Sequence, residues 1–164
     1  MNENLVGCRS GVDMKPTGVC GEVELAGELR SVPVARAWVR AFLASAGRCD
    51  VGDVELLVGE LVANAVRHSD SGHRPGGVVW LRVHDDGRAV RAEVTDEGSS
   101  GGVPSITTPV DPMSEGGRGL WLVRELSSAW GWHPTGTGRT VWTEVVPGPE
   151  ASAPDGAARG VETR

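Results

Sequence analysis

Apolar residues along the chain recur with two periods, one helical and one extended. Between Ser31 and Gly47, the residues Val34, Trp38, Ala41 and Phe42 recur at helical spacing. Ser31 is a candidate N-cap for this helix and Gly47 a natural stop. A second helix is expected from about Val51 to Ser69, capped by Asp50, with Leu57, Val58, Leu61 and Ala65 on its apolar arc. Alternation by two marks strands: Val23 and Leu25 in GEVELAG, then Val79, Leu81 and Val83, then Val90, Ala92 and Val94. Asp86-Gly87 reads as the two-residue turn of a hairpin joining the last two. GGRGLWLVRELSSAWG opens a third helix from glycines, with Leu120, Leu122, Val123 and Leu126 apolar. WGWHP reads as a short strand, GTG as a turn and RTVWTEVV as the last strand.

The segments without a period divide the chain. Residues 1–18 are polar and glycine-containing and are expected to form a flexible N-terminus. Residues 97–116 are glycine, serine, threonine and proline with scattered apolar positions; a loop this long inside a compact domain is often a functional lid. Residues 148–164 have no pattern and are expected to be a disordered tail. One domain, 19–147, remains. Its order of strand, two helices, hairpin, lid, helix and two strands predicts an α+β two-layer sandwich. The expected sheet is mixed, mostly antiparallel, with the helices packed on one face.

Composition narrows the class. The chain has 164 residues, 39% hydrophobic and 23% charged, enough for one domain with a core. No run of 18 apolar residues exists to cross a membrane, and the first residues do not read as a signal peptide, so a cytoplasmic location is expected. The formal net charge of -6 argues against a protein that grips nucleic-acid backbone. Cys8, Cys20 and Cys49 are odd in number and form no C-x-x-C pair, so neither a disulfide framework nor a zinc site is suggested. Lys15, the single lysine, lies in MKPTG, so no P-loop is present. Six tryptophans stand against one phenylalanine; most are expected to fill the core, with Trp38 a candidate for a dimer or partner face.

Within the second helix, ELVANAVRHSD repeats polar groups at the helix's own period: Glu60, Asn64 and His68. Each step advances about 40° around the helix, so the three span about 80° beside the apolar arc. They are expected to be half-buried along a groove. A carboxylate and an amide oxygen one turn apart are hard ligands suited to Mg²⁺ with waters, and the carboxylate can accept a proton from an attacking hydroxyl. Local hydrogen bonds at a helix edge are the plainer alternative. Asp96 ends the second hairpin strand and can accept from an exocyclic amine, while Gly98 lets a base approach the backbone. Gly117, Arg118, Gly119 and Leu120 open the third helix, where backbone amides can wrap phosphates. Thr140 follows Gly138-Arg139 at the start of the last strand, where its hydroxyl either meets a base or caps the turn.

In that order, these motifs resemble the GHKL ATPase family, which includes gyrase and the histidine kinases. ELVANAVRHS is similar to the N box of its small single-domain branch, the bacterial anti-sigma-factor kinases, and the likeness covers about residues 21–146. The resemblance implies the Bergerat ATP-binding fold, ATP and Mg²⁺ as cofactors, and serine/threonine kinase activity toward an anti-anti-sigma (STAS-like) partner, with a sigma factor as second partner. A homodimer is a further possibility of the branch. Carried over by position, Glu60 is the general base and Asn64 the Mg²⁺ ligand. Asp96 binds adenine in a pocket shaped by Gly98. Gly117, Arg118, Gly119 and Leu120 lie along the phosphates, Thr140 supports the base, and His68 positions the site. The sequence departs from the family pattern where Asp-x-Gly-x-Gly becomes DEGSSGG, with Ser100 in place of the second glycine. A non-catalytic ATP-binding interaction module and a simple ATPase are the rival readings.

Overall fold

The computed structural model describes residues 18–99 and 118–146. The expected flexible N-terminus and tail lie outside these residues, as do all but the first residues of the expected lid. Five strands and three helices run in the order β1 (Val19–Ala26), α1 (Ser31–Ser45), α2 (Gly52–His68), β2 (Val78–Asp85), β3 (Val90–Asp96), α3 (Arg118–Leu126), β4 (Ala129–Pro134) and β5 (Arg139–Val145). A 3-10 turn, Asp70–Gly72, follows α2. The strands form one sheet in the order β1-β2-β3-β5-β4, and every pairing in it is antiparallel. The α+β class stands, with the expected mixed character replaced by a purely antiparallel sheet among the described residues.

Strand alternation gives the sheet two unlike faces. Leu25, Val79, Leu81, Val83, Val90, Ala92, Val94 and Val145 are buried against the helices. The opposite face carries ion pairs, Arg82 with Glu22 and Arg91 with Glu93, and the Arg91 guanidinium lies 3.9 Å from the Trp142 ring centre. Helix α2 is the hub, touching α1, α3, β2, β3 and β5. Its Val54, Leu57, Val58, Leu61, Val62, Ala65 and Val66 are all buried. Each fully buried valine or leucine contributes about 1.5–3 kcal/mol.

Several local details differ from the sequence reading. Ser31 is the first residue of α1 and donates its hydroxyl to the Ala26 carbonyl at 2.7 Å, so it ties the helix to β1 and does not cap it. Helix α2 likewise starts without a side-chain cap from Asp50; Asp53 and Glu55 in its first turn complement the helix dipole. The buried face of α1 is Ser31, Ala35, Val39 and Leu43, which leaves Val34 54% exposed. Trp38 and Phe42 stack at 5.4 Å beside Gly21, where a Cβ would meet the Phe42 ring at 2.6 Å. Gly21 thus provides the space the two rings occupy. No described tryptophan is in the buried core; Trp130 and Trp132 are 37% and 40% exposed. The core is aliphatic because valine, leucine and alanine already fill the inner positions of every central strand.

At the end of the β2–β3 hairpin, Asp85 is buried and takes a two-pronged ion pair from Arg48, Nε to Oδ2 at 2.8 Å and Nη2 to Oδ1 at 2.7 Å. This clamps the α1–α2 connection to the sheet. The Arg48 bond, opposed by burial and aided by the Gly87 N–H, holds the Asp85 carboxyl below its ordinary value. A lowered folded value means that this stability is present above the ordinary carboxylate pKa and is lost as pH falls through the folded one. Asp85→Ala is expected to lower stability in urea by about 3 kcal/mol at neutral pH. The deficit should shrink in acid; a deficit equally large at pH 2.5 would contradict this account.

Candidate functional site

The site begins at the C-terminal half of α2. Glu60 and Asn64 are half-buried, and His68 is exposed where half-burial was expected. His68 is the last residue of the helix, so its side chain has no following turn to cover it. Among the described residues, no hydrogen bond or ion pair engages the Glu60 carboxylate, the Asn64 amide or the His68 ring. Among the described residues, the arginine–glutamate pairs, Arg40–Glu55 and Arg74–Glu97 among them, use other carboxylates. The local-hydrogen-bond alternative for the stripe therefore has no bond to support it.

Beyond α2 the chain is held tightly to the end of β3. Ser69 donates its hydroxyl to the Ala65 carbonyl at 2.6 Å and accepts from the Ser71 N–H at 3.2 Å. The Ser71 hydroxyl accepts the Glu97 N–H at 3.0 Å, and the Asp70 N–H reaches the Gly98 carbonyl at 2.5 Å. Glu97 accepts from the Val78 N–H at 3.1 Å and pairs with Arg74. The turn Asp96-Glu97-Gly98 is thereby fixed from three sides. No sequence motif had singled out Ser69, Ser71 or Glu97; the Ser-Asp-Ser-Gly run after the helix was the only signal.

Asp96 is only 2% exposed. Its Oδ1 accepts the Gly98 N–H at 2.8 Å and its Oδ2 accepts Arg139 Nε at 3.0 Å. An ionised carboxylate has about four acceptor positions, so about two remain open. Gly98 has φ +74°, the left-handed region that glycine adopts without strain. A Cβ there would also meet the Gly138 Cα at 3.1 Å. Gly138 is more constrained still, because its Cβ would fall 1.8 Å from the Asp96 carbonyl oxygen. The two glycines let the ends of β3 and β5 close on each other, and Gly138 was not among the residues singled out for the site.

Thr140 does not join this group. In the β3–β5 register Asp96 faces Arg139 and Thr95 faces Thr140. Neighbouring residues of a strand point to opposite faces. Thr140 is buried, and its hydroxyl lies 2.7 Å from that of Thr95 on the side away from α2. Arg139 takes the inner position beside Asp96.

Gly117 lies outside the described residues. Arg118, Gly119 and Leu120 form the first turn of α3, which packs against α2 and buries Val123. The donor set fits a nucleotide carrying a divalent cation. Asp96 offers open acceptor positions beside a Cβ-free turn, and Asn64 offers an unengaged amide oxygen one turn from an unengaged carboxylate. Among the described residues no group of three or more His, Cys, Asp or Glu could hold a metal alone.

Residues 25–144 match the model of the histidine kinase-like ATPase domain. No curated protein matches. Among solved structures, the RsbU and RsbW domains of Rv1364c from Mycobacterium tuberculosis share the fold, with a TM-score of 0.58 and 22% sequence identity. The similarity covers 78% of this chain, which spans about a third, 32%, of that one.

The close approach at Gly138 is testable without any ligand. Gly138→Ala is expected to cost about 1–3 kcal/mol in urea denaturation. Gly136→Ala, with nothing within 4 Å of the new Cβ, serves as the neutral control. Equal midpoints for the two variants would refute the close approach.

Proposed function

The chain belongs to the histidine kinase-like ATPase domain family, and from that premise we propose that it is an ATP- and Mg²⁺-binding regulator of the anti-sigma-factor kinase type. It phosphorylates a serine or threonine of an anti-anti-sigma, STAS-like partner and alternates between that partner and a sigma factor. The observation that carries the reading is the pair Glu60 and Asn64, one helical turn apart, half-buried and unengaged among the described residues. A half-buried carboxylate and amide without protein partners are free to take a ligand, and this supports the reading.

In this reading Asp96 accepts from the exocyclic amine of adenine, and Gly98 admits the ring to the backbone. His68 ends the helix about 12 Å along the axis from Glu60. Arg139 joins Asp96 to the carbonyl of His68, so Asp96 at the C-terminal end of α2 would hold the base, and Asn64 and Glu60 would face the phosphates. Asn64 would hold Mg²⁺ together with water, and the cation would supply charge neutralisation at the phosphates. Glu60 takes the proton of the attacking hydroxyl. Arg118, Gly119 and Leu120, with Gly117 before them, supply amides to the phosphates from the start of α3. Thr140 supports the base only indirectly, through Thr95 and the strand that carries Asp96.

Two measurements test the proposal. Calorimetric titration should show ATP binding that strengthens with Mg²⁺ in the wild type and loses that gain in Asn64→Ala; a wild type that binds no ATP defeats the reading. With labelled ATP and a STAS-domain acceptor, Glu60→Ala should slow transfer about 10²–10⁴-fold, the usual worth of a general base. Undiminished transfer would remove Glu60 from the chemistry. ATP binding with no transfer to any acceptor would instead describe a nucleotide-gated binding module.

A further inference from the structure

We infer that Arg139 is the positioning residue that sets base specificity at this site, by aiming the Asp96 carboxylate at an exocyclic amine. The inference rests on the ATP reading above and adds to it a residue that the motif pattern does not contain. Three observations support it. The β3–β5 register sets Arg139 directly opposite Asp96, on the face that carries α2. Its Nε meets Asp96 Oδ2 at 3.0 Å, with the two side chains 14% and 2% exposed. Its Nη2 lies 3.5 Å from the carbonyl of His68, the terminal residue of α2, where the helix dipole favours a cation.

The consequence is chemical. Paired with a fixed guanidinium, the buried Asp96 carboxylate presents its open acceptor positions in one plane. The guanidinium bond from one side and the Gly98 N–H from the other leave the carboxylate little freedom to rotate. Such a group recognises a neutral N–H donor and rejects an acceptor set in the same place. Adenine presents an amine at its six-position, and hypoxanthine presents an oxygen there. An arginine is suited to this task because its planar fork fixes direction as well as charge, whereas lysine supplies charge without direction.

The test compares ATP with ITP, which differ at that position of the base. Calorimetric affinities are measured for the full chain with Mg²⁺, for wild type, Arg139→Met and Arg139→Lys. Wild type should prefer ATP by at least about tenfold, the worth of one hydrogen bond to a charged group. Arg139→Met should bring the ratio to within about threefold, mainly by weakening ATP. A residue that only maintained the fold would weaken both nucleotides alike and leave the ratio at its wild-type value, which would overturn the inference. Should Arg139→Met fail to fold, Arg139→Lys keeps the charge. Its ratio is expected between the other two, and a wild-type ratio in it overturns the inference equally. A wild type that binds ATP and ITP equally overturns it as well. A wild type that binds neither defeats the ATP reading itself, so the two failures are distinguishable.

Discussion

Nine of the seventeen residues of α2 are buried, so this helix cannot turn about its axis without exposing valine or leucine. A rotation by one residue would bring about 100° of apolar surface into water. That constraint fixes where the remaining residues point. Glu60 and Asn64 border the buried arc, and the packing that immobilises Leu57, Leu61 and Ala65 also immobilises them. The polar pair needs no hydrogen bonds of its own to be held in place. Their Cα–Cβ bonds are therefore aimed to one side of the helix by a core that the polar pair itself does not join.

The same helix orders the other half of the site through its end. Ser69, Asp70 and Ser71 carry α2 into the turn after β3, and their hydrogen bonds to Glu97 and Gly98 join two segments far apart in sequence. Arg139 adds a third segment from β5. Helix end, strand end and strand start therefore move as one body.

Much of this was legible in the sequence, and the failures have identifiable physical causes. The apolar arc of α2, the alternation in β2 and β3 and the Asp-x-Gly turn each rest on a local period, which a single chain displays. Helix caps were misjudged because Ser31 found a tertiary partner, the Ala26 carbonyl, that no window around it reveals. The tryptophans were misjudged because bulk suggests burial, while the inner strand positions were already filled by aliphatic side chains. Thr140 was set beside the base because a strand's inward residues are known only once its register is. A shift of one residue exchanges threonine for arginine, and only the pairing of β5 with β3 decides between them. The lid beyond residue 99 and Gly117 lie outside the described residues.

The aliphatic core has a consequence for observing the molecule. Trp80 and Trp142 lie on the helix-free face of the sheet, Trp130 and Trp132 on its edge strand, and Trp38 on α1 beside β1. Their indoles already meet water or charge in the folded chain, Trp80 through Glu24 and Trp142 through Arg91. The ultraviolet emission of these five tryptophans thus originates at the periphery. Its colour will report what comes to rest on the outside of the sheet more sensitively than whether the interior is intact.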